Sequence, residues 1–291
     1  MTTGPVLFAR YALAPNRLGY CGPADSAALL AAGSAAGSAP GSAGGSAGGS
    51  AGGSAGGSAP GSAGGSAGGS AAGSAGGSAP GSAGGSAGGS REASARGATA
   101  SNGEAVAVLR ELARQFEGAW PYLELIARAT GIRDPLDARV VEAYWVGNPL
   151  LEDVGKPFKA GGMPHHSYQV FSVYPWADLL ADERSTGQAL HVLDQCRIRW
   201  GRVIADTGDQ VVVESRPLTW NGQLLALGVL RQETVIRSAD GIDLLGRLQP
   251  GDWVSLHWQW ICDRLDLPRL TALRDYSAYH LEITNNRLAL V

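Results

Sequence analysis

The feature that most constrains the fold is a long segment built from three small residue types. From Ala31 to about Ser90, the chain consists almost entirely of Gly, Ser and Ala, with a recurring Gly-Gly-Ser-Ala unit. Such a segment cannot bury enough apolar surface to offset the conformational entropy lost on ordering. The residues that follow, up to Gly103, are mixed in composition. We therefore predict a disordered insertion over residues 31–103, and the sequence leaves open whether it is natural or engineered.

The rest of the chain, about 220 residues, is enough for one domain or two small ones. The formal net charge of −3 is small and unclustered, which argues against a nucleic-acid partner. No apolar run approaches the roughly 18 residues that a membrane span needs. The three cysteines form an odd, sparse set, unlike a secreted disulfide framework. Since the N-terminus also lacks the pattern of a signal peptide, we expect a cytoplasmic protein.

The first half of the folded part carries the spacing of helices. After the insertion, apolar residues recur at the 3.6-residue period of one helical face: Val108, Leu109, Leu112 and Phe116. Pro121 suits the first turn of a further helix, because a helix start does not need its missing N–H. We predict an all-helical N-terminal domain over residues 1–30 and 104–195.

At Cys196 the pattern changes to the period of two that is typical of strands. Short runs of alternating β-formers follow, and Asn221-Gly222 is the strongest hairpin signal in the chain. We predict a small OB-like β-barrel of about five strands over residues 196–262. Residues 263–291 carry an apolar stripe that indicates a C-terminal helix. The predicted fold class is therefore α+β, with the helical domain first, then the barrel, then the helix.

Both ends of the predicted barrel carry a recognisable motif. It starts Cys196-Arg197-Ile198-Arg199-Trp200-Gly201-Arg202-Val203 and closes Gly251-Asp252-Trp253-Val254-Ser255-Leu256-His257. This order resembles the HypC/HupF family, the small chaperones of [NiFe]-hydrogenase maturation, although here the cysteine is internal. In that family, the cysteine and the histidine help to hold an Fe(CN)2CO unit on its way to the hydrogenase large subunit. The resemblance implies a chaperone-like barrel, with Cys196 and His257 as candidate iron ligands.

A wider resemblance covers nearly all of the chain outside the insertion. It rests on the motifs Arg17-Leu18-Gly19-Tyr20-Cys21-Gly22-Pro23, Phe116-Glu117-Gly118-Ala119-Trp120-Pro121-Tyr122 and Pro164-His165-His166-Ser167. Together they resemble an uncharacterised actinobacterial family whose genes tend to accompany [NiFe]-hydrogenase operons. The resemblance implies that the partners are the [NiFe]-hydrogenase large subunit or maturation proteins.

The chemistry of the two candidate ligands suits this cargo. Low-spin Fe(II) carrying cyanide and carbon monoxide prefers soft or borderline donors, which a thiolate and an imidazole supply. We expect Arg197, Arg199 and Arg202 to favour the thiolate form of Cys196. The alternative is structural: Cys196 as a small buried apolar residue and His257 as a histidine bonded to backbone at the edge of the core.

Six residues are predicted to contact a partner. They are Arg197, Arg199, Trp258, Trp260, His165 and His166. The alternative for the two histidines is a pair that caps and packs at a helix start, and most tryptophans should pack between helices and barrel. The Pro164-His165-His166-Ser167 motif also admits a metal contact, if Cys21 or His191 joined it.

No motif of a nucleophile, nucleotide-binding loop or metallohydrolase is present, so we do not expect an enzyme. We expect an accessory protein or maturation chaperone for a [NiFe]-hydrogenase that holds no permanent cofactor and carries Fe(CN)2CO transiently. The alternative is a non-catalytic scaffold or interaction subunit of the assembled hydrogenase, which would bind through an aromatic surface.

Overall fold

The computed structural model describes residues 2–37 and 101–290, and nine α-helices lie within them. They are α1 (Gly4–Arg17), α2 (Ser26–Gly37), α3 (Asn102–Arg114), α4 (Trp120–Ala129), α5 (Ala138–Trp145), α6 (Leu150–Val154), α7 (His166–Tyr168), α8 (Thr186–Cys196) and α9 (Leu267–Leu288). A π-helical turn over Gln169–Val173 continues α7. Single 3₁₀ segments span Lys159–Gly161 and Pro175–Ala181.

Local sequence determines where several of these helices begin. Ser101 and Glu104 form a capping box at the start of α3, in which each side chain accepts the backbone N–H of the other residue. Pro121 and Pro268 lie in the first turns of α4 and α9, where a missing N–H costs no helical hydrogen bond. Asp266 caps α9 by accepting the N–H of Arg269 at 2.9 Å.

Nine strands follow in the second half of the described chain. They are β1 (Arg199–Asp206), β2 (Gln210–Ser215), β3 (Leu218–Trp220), β4 (Leu225–Leu227), β5 (Arg231–Ile236), β6 (Ser238–Ala239), β7 (Ile242–Asp243), β8 (Trp253–His257) and β9 (Trp260–Leu265). Five of them form a closed ring in the order β1-β2-β5-β9-β8, with β8 pairing back onto β1. Only the β5–β9 pair of this ring is parallel. The remaining strands form two small hairpins, β3–β4 and β6–β7.

The predicted mixture of helices and strands with a C-terminal helix is confirmed, and so is the hairpin at Asn221-Gly222, which joins β3 to β4. The strands end at Leu265 rather than at residue 262, and α9 begins at Leu267. The interior of the ring is filled by branched apolar residues: Val203, Val211, Val213, Val235, Leu248, Val254, Leu256 and Ile261. Alternation along β1 and β2 directs these side chains inward.

A separate all-helical N-terminal domain is not confirmed. The helices and the outer face of the ring share one hydrophobic core, which runs from α1 through α5 and α8 to β9. Side-chain hydrogen bonds join α1 directly to the strands, among them Tyr11 to Ser255 at 2.8 Å and Arg10 to Asp263 at 3.0 Å. The described residues, 2–37 and 101–290, accordingly belong to one compact unit.

The bounds of the predicted insertion differ from those in the structure at both ends. Helix α2 continues to Gly37, past the expected start at residue 31, and α3 begins at Asn102. The rest of the predicted insertion, residues 38–100, lies outside the described residues. Among the residues that the structure describes, no helix combines the length and the apolar character that crossing a membrane requires.

Candidate metal centre

Three buried side chains from distant parts of the chain converge beside α1. His166 lies at the start of α7, Cys196 is the last residue of α8, and His257 ends β8. One ligand atom from each of the three, a ring nitrogen or the sulfur, lies within 4.8 Å of the other two. The sequence motifs predict Cys196 and His257 as ligands, and they predict His166 as a partner contact or, with Cys21 or His191, as a metal contact.

Cys196 reaches this position because α8 ends there. Arg197 has an extended backbone (φ −64°, ψ 147°), and the chain then enters β1. The carbonyl of a last helical residue has no partner within the helix. The Nε2 atom of His166 lies 2.9 Å from the Cys196 carbonyl oxygen and is its hydrogen-bond partner. Cys196 therefore does not stand at a strand start, as the sequence suggested, but at a helix end beneath packed side chains.

His257 is oriented by a proline in α1. Pro15 lies inside the helix and has no N–H, so the carbonyl four residues earlier, that of Tyr11, lacks its usual helical donor. The Nδ1–H of His257 donates to this carbonyl at 2.7 Å. The ring is neutral, so its lone pair is on Nε2; this buried nitrogen forms no hydrogen bond, although the nearby Cys196 backbone acts to raise the pKa of the ring. A neutral histidine with one nitrogen held by a carbonyl and the other open is the usual arrangement of a metal ligand.

His166 completes the cluster on the opposite side. Its ring lies edge-on to that of His257, with 5.1 Å between centroids, and packs against Trp145 at 4.6 Å. Its Nδ1 atom lies 3.1 Å from the hydroxyl of Tyr144, which in turn bonds the amide of Gln169. Gln169 begins the π-helical turn, a local irregularity that occurs frequently at functional sites.

Burial controls the protonation of all three groups. It lowers the pKa of His257 to about 4 and that of His166 well below its usual value, so both rings are neutral at pH 7. It raises the pKa of the Cys196 thiol far above its usual value, and the nearby Cys21 thiol adds to this effect. The free site therefore holds two neutral imidazoles and a thiol, and a bound cation would have to displace the thiol proton.

The expectation that arginines favour the Cys196 thiolate is not borne out, because two of them are engaged elsewhere and Arg202 is exposed. Arg197 pairs with Asp194 at 2.9 Å and donates to the carbonyl of Arg216. Arg199 pairs with Glu233 on β5. Their charges are offset by these neighbours, and burial of the sulfur dominates its pKa.

The six predicted contact residues are all buried: Arg197, Arg199, Trp258, Trp260, His165 and His166. Trp258 stacks on Tyr20 with ring centroids 4.3 Å apart. His165 shares a hydrogen-bond network with Ser167 and His280. In this structure these residues pack and bond internally, so they do not form an exposed docking surface.

A cavity of about 580 Å³ adjoins the cluster. Three of its lining residues, Tyr20, Gln195 and Trp258, each stand next in sequence to Cys21, Cys196 or His257. Trp258 has a left-handed backbone (φ 55°), held by its N–H, which donates to the Gln195 carbonyl at 2.8 Å. Such strain in a bulky residue persists only where surrounding contacts enforce it. The backbone of Trp258 is therefore held in place where this residue lines the cavity.

The donor set fits a transition metal. A sulfur and two imidazole nitrogens around a tetrahedral ion lie about 3.5 Å apart, so binding would draw the three ligand atoms inward by about 1 Å. Three protein ligands would leave a fourth position for an exogenous group. Sulfur and imidazole donors select zinc, iron, nickel or copper over magnesium and calcium.

A sequence model described as "Family of unknown function (DUF6390)" matches residues 1–45, 79–158 and 154–291. No curated protein and no solved structure matches the chain. The matched residues include His166, Cys196 and His257.

Proposed function

This chain belongs to the Family of unknown function (DUF6390), and we propose that it is a non-catalytic accessory protein for [NiFe]-hydrogenase assembly that binds iron. The convergence of His166, Cys196 and His257 carries the proposal, because three buried donors from separate elements meet within 4.8 Å. The Nε2 of His257 is buried and makes no hydrogen bond, so its lone pair is available to a metal. The unpartnered Nε2 of His257 is accounted for if a metal binds there.

The choice of iron rests on the resemblance of the two strand-end motifs to HypC/HupF chaperones. Under this proposal, Cys196 supplies the thiolate, while His257 and His166 supply neutral nitrogen donors. An Fe(CN)2CO unit needs space for three diatomic ligands, and the 580 Å³ cavity lined by Tyr20, Gln195 and Trp258 is large enough for them. All three cysteines are free, in keeping with a reducing cytoplasm.

The alternative of a scaffold subunit has less support. It required an aromatic surface that includes Trp258 and Trp260, and these side chains are only 5% and 4% exposed. Buried tryptophans contribute to the core rather than to a partner contact. We therefore favour metal carriage over scaffolding.

The proposal is tested by anaerobic purification from cells that express the hydrogenase operon. We expect infrared bands of cyanide and carbonyl stretches in the wild-type protein and their loss in Cys196→Ala. Cys262→Ala is the matched control, because Cys262 is equally buried but outside the cluster. If the wild-type protein shows no such bands while the same cells mature active hydrogenase, iron-unit carriage is excluded.

A further inference from the structure

A chain of hydrogen bonds leads away from the candidate metal centre. It starts at the carbonyl of Cys196 and passes through His166, Tyr144 and Gln169 to Tyr174. The Gln169 amide nitrogen lies 2.9 Å from the Tyr174 hydroxyl, and its amide oxygen accepts from Tyr144. The Cys196 carbonyl can only accept, whereas His166, Tyr144, Gln169 and Tyr174 each can donate and accept, so the protons along these four side chains can be ordered in two directions.

In the first direction, the Gln169 amide nitrogen donates to Tyr174 and its oxygen accepts from Tyr144. The single hydroxyl proton of Tyr144 is then engaged in the hydrogen bond to Gln169. Towards His166 the Tyr144 oxygen can only accept, so the Nδ1–H of His166 must donate to it. The Nε2 of a neutral His166 carries a lone pair, which faces the lone pairs of the Cys196 carbonyl at 2.9 Å. Two acceptors at this distance repel each other, unless a cation lies against the nitrogen.

In the second direction, the amide of Gln169 is rotated by 180°, so that its nitrogen donates to Tyr144 and its oxygen accepts from Tyr174. Tyr144 is then free to donate to Nδ1 of His166. The proton of His166 moves to Nε2, which donates to the Cys196 carbonyl. The Nε2–H of His166 now forms a hydrogen bond with the Cys196 carbonyl in place of two opposed lone pairs, so this direction is the stable one when no metal is bound.

A doubly protonated His166 offers no third solution. It would be a buried cation, and no carboxylate is among the hydrogen-bond partners of the ring. The neutral ring must therefore adopt one tautomer or the other, and the orientation of the Gln169 amide decides which.

The backbone of Gly118 lies close to the Gln169 amide. A Cβ atom on Gly118 would lie only 2.5 Å from the amide nitrogen of Gln169 and 2.8 Å from the Tyr174 hydroxyl. The φ of Gly118 is not in the left-handed region, so the backbone alone does not require glycine there. The glycine keeps space free around the amide.

We propose that Gln169, acting through Tyr144, is a positioning residue that selects the tautomer of His166 and thereby opens or closes its Nε2 to a metal. This inference rests on the proposed metal site. With the amide nitrogen toward Tyr174, Nε2 is free to bind; with the amide reversed, Nε2 is occupied by the Cys196 carbonyl. Metal binding and amide rotation are therefore coupled.

The first test needs no metal. We expect nitrogen-15 NMR of the metal-free protein at pH 8 to show His166 protonated on Nε2 in the wild type. In Gln169→Glu, the carboxylate only accepts, so both tyrosine hydroxyls donate to it and His166 should be protonated on Nδ1. An unchanged tautomer in a folded Gln169→Glu variant would overturn the inference, whatever the protein binds.

The second test measures Zn²⁺ affinity. We expect Gln169→Glu to bind about tenfold more tightly than the wild type and Gln169→Leu to bind 10- to 100-fold more weakly, as for other residues that orient metal ligands. Tyr168→Phe is the control, since the Tyr168 hydroxyl donates to the Lys159 carbonyl and takes no part in the hydrogen bonds between Cys196 and Tyr174. Equal affinity of both Gln169 variants would overturn the coupling. If even the wild type binds no metal, the proposed function fails, while the tautomer result still decides the role of Gln169.

Discussion

The free energy of unfolding is expected to fall by about 5 kcal/mol between pH 7.5 and pH 5.5. Four of the five histidines are buried with lowered pKa values: about 4 for His165 and His257, about 2 for His280, and well below the usual value for His166. In the unfolded chain each has a pKa near 6.5 and takes up a proton in this range, whereas the folded protein excludes it. Each ring costs up to about 1.4 kcal/mol per pH unit below 6.5.

The sign follows from which state binds more protons. Below pH 6.5 the unfolded state binds them, so stability is present above that pH and is lost as the pH falls towards 4. Burial raises the pKa of Glu142, so protonation of this carboxyl adds to the free energy of unfolding as the pH falls. This single group offsets only part of the loss caused by the four histidines. A total loss of this size is comparable to the stability of many domains. Acid should therefore unfold the protein near pH 5.

Urea denaturation at the two pH values measures this effect. His280→Leu should reduce the slope by about a quarter if the variant folds. A free energy of unfolding that stays constant between pH 7.5 and pH 5.5 would show that the four rings are not held neutral.

Cys196→Ala is expected to weaken metal binding by more than 100-fold. The thiolate is the only anionic donor of the cluster, so its loss removes both a bond and the charge that offsets the cation. The variant itself should fold, because Ala replaces a small side chain and leaves a space of about one atom. In the wild type, metal at 100 times its dissociation constant adds about 2.7 kcal/mol to stability, and this gain should vanish in the variant.

Calorimetric titration with Zn²⁺ and the metal-induced shift of the melting temperature provide two independent readouts. Cys262→Ala should retain both, because the Cys262 sulfur contacts the Trp260 carbonyl outside the cluster. Affinity of Cys196→Ala within threefold of the wild type would show that the sulfur is not a ligand. Together the two cysteine variants separate loss of a ligand from loss of buried volume.

The sequence pattern was sufficient for the strands and most helices, since periodicity and turn residues act locally. The hairpin at Asn221-Gly222 and the proline-started helices illustrate this. The apolar residues from Val6 to Leu18 have no clean helical period, so the pattern does not indicate the bounds of α1. Twelve of the fourteen residues of α1 are buried, so the helix has no polar face to produce one. Because α1 is buried between the other helices and the strands, it joins them into one unit.

The sequence predicts only part of the candidate metal site. Cys196 and His257 were found through their motifs, whereas His166 was assigned to partner contact. Its position next to Cys196 depends on the packing of α7 against the end of α8, and no local pattern encodes that contact. Pro15 was an available signal, because a proline inside a helix frees the carbonyl four residues earlier for another donor.

The arginines show the same limit. Charges near Cys196 in sequence suggested a stabilised thiolate, yet Arg199 pairs with Glu233 on a strand that is separated from β1 by β2. Only the closed ring brings these two residues together, with Ser215 also bonding the carboxylate. Arginines that are close to Cys196 in sequence therefore do not determine the pKa of its sulfur in the folded protein.

X-ray absorption at the zinc edge of the zinc-loaded protein tests the metal centre most directly. We expect one sulfur scatterer at about 2.3 Å and two imidazole nitrogens at about 2.0 Å. The sulfur shell should disappear in Cys196→Ala, and one imidazole should be lost in His257→Ala. A first shell without sulfur, or with all ligands unchanged in both variants, would contradict the metal site formed by His166, Cys196 and His257.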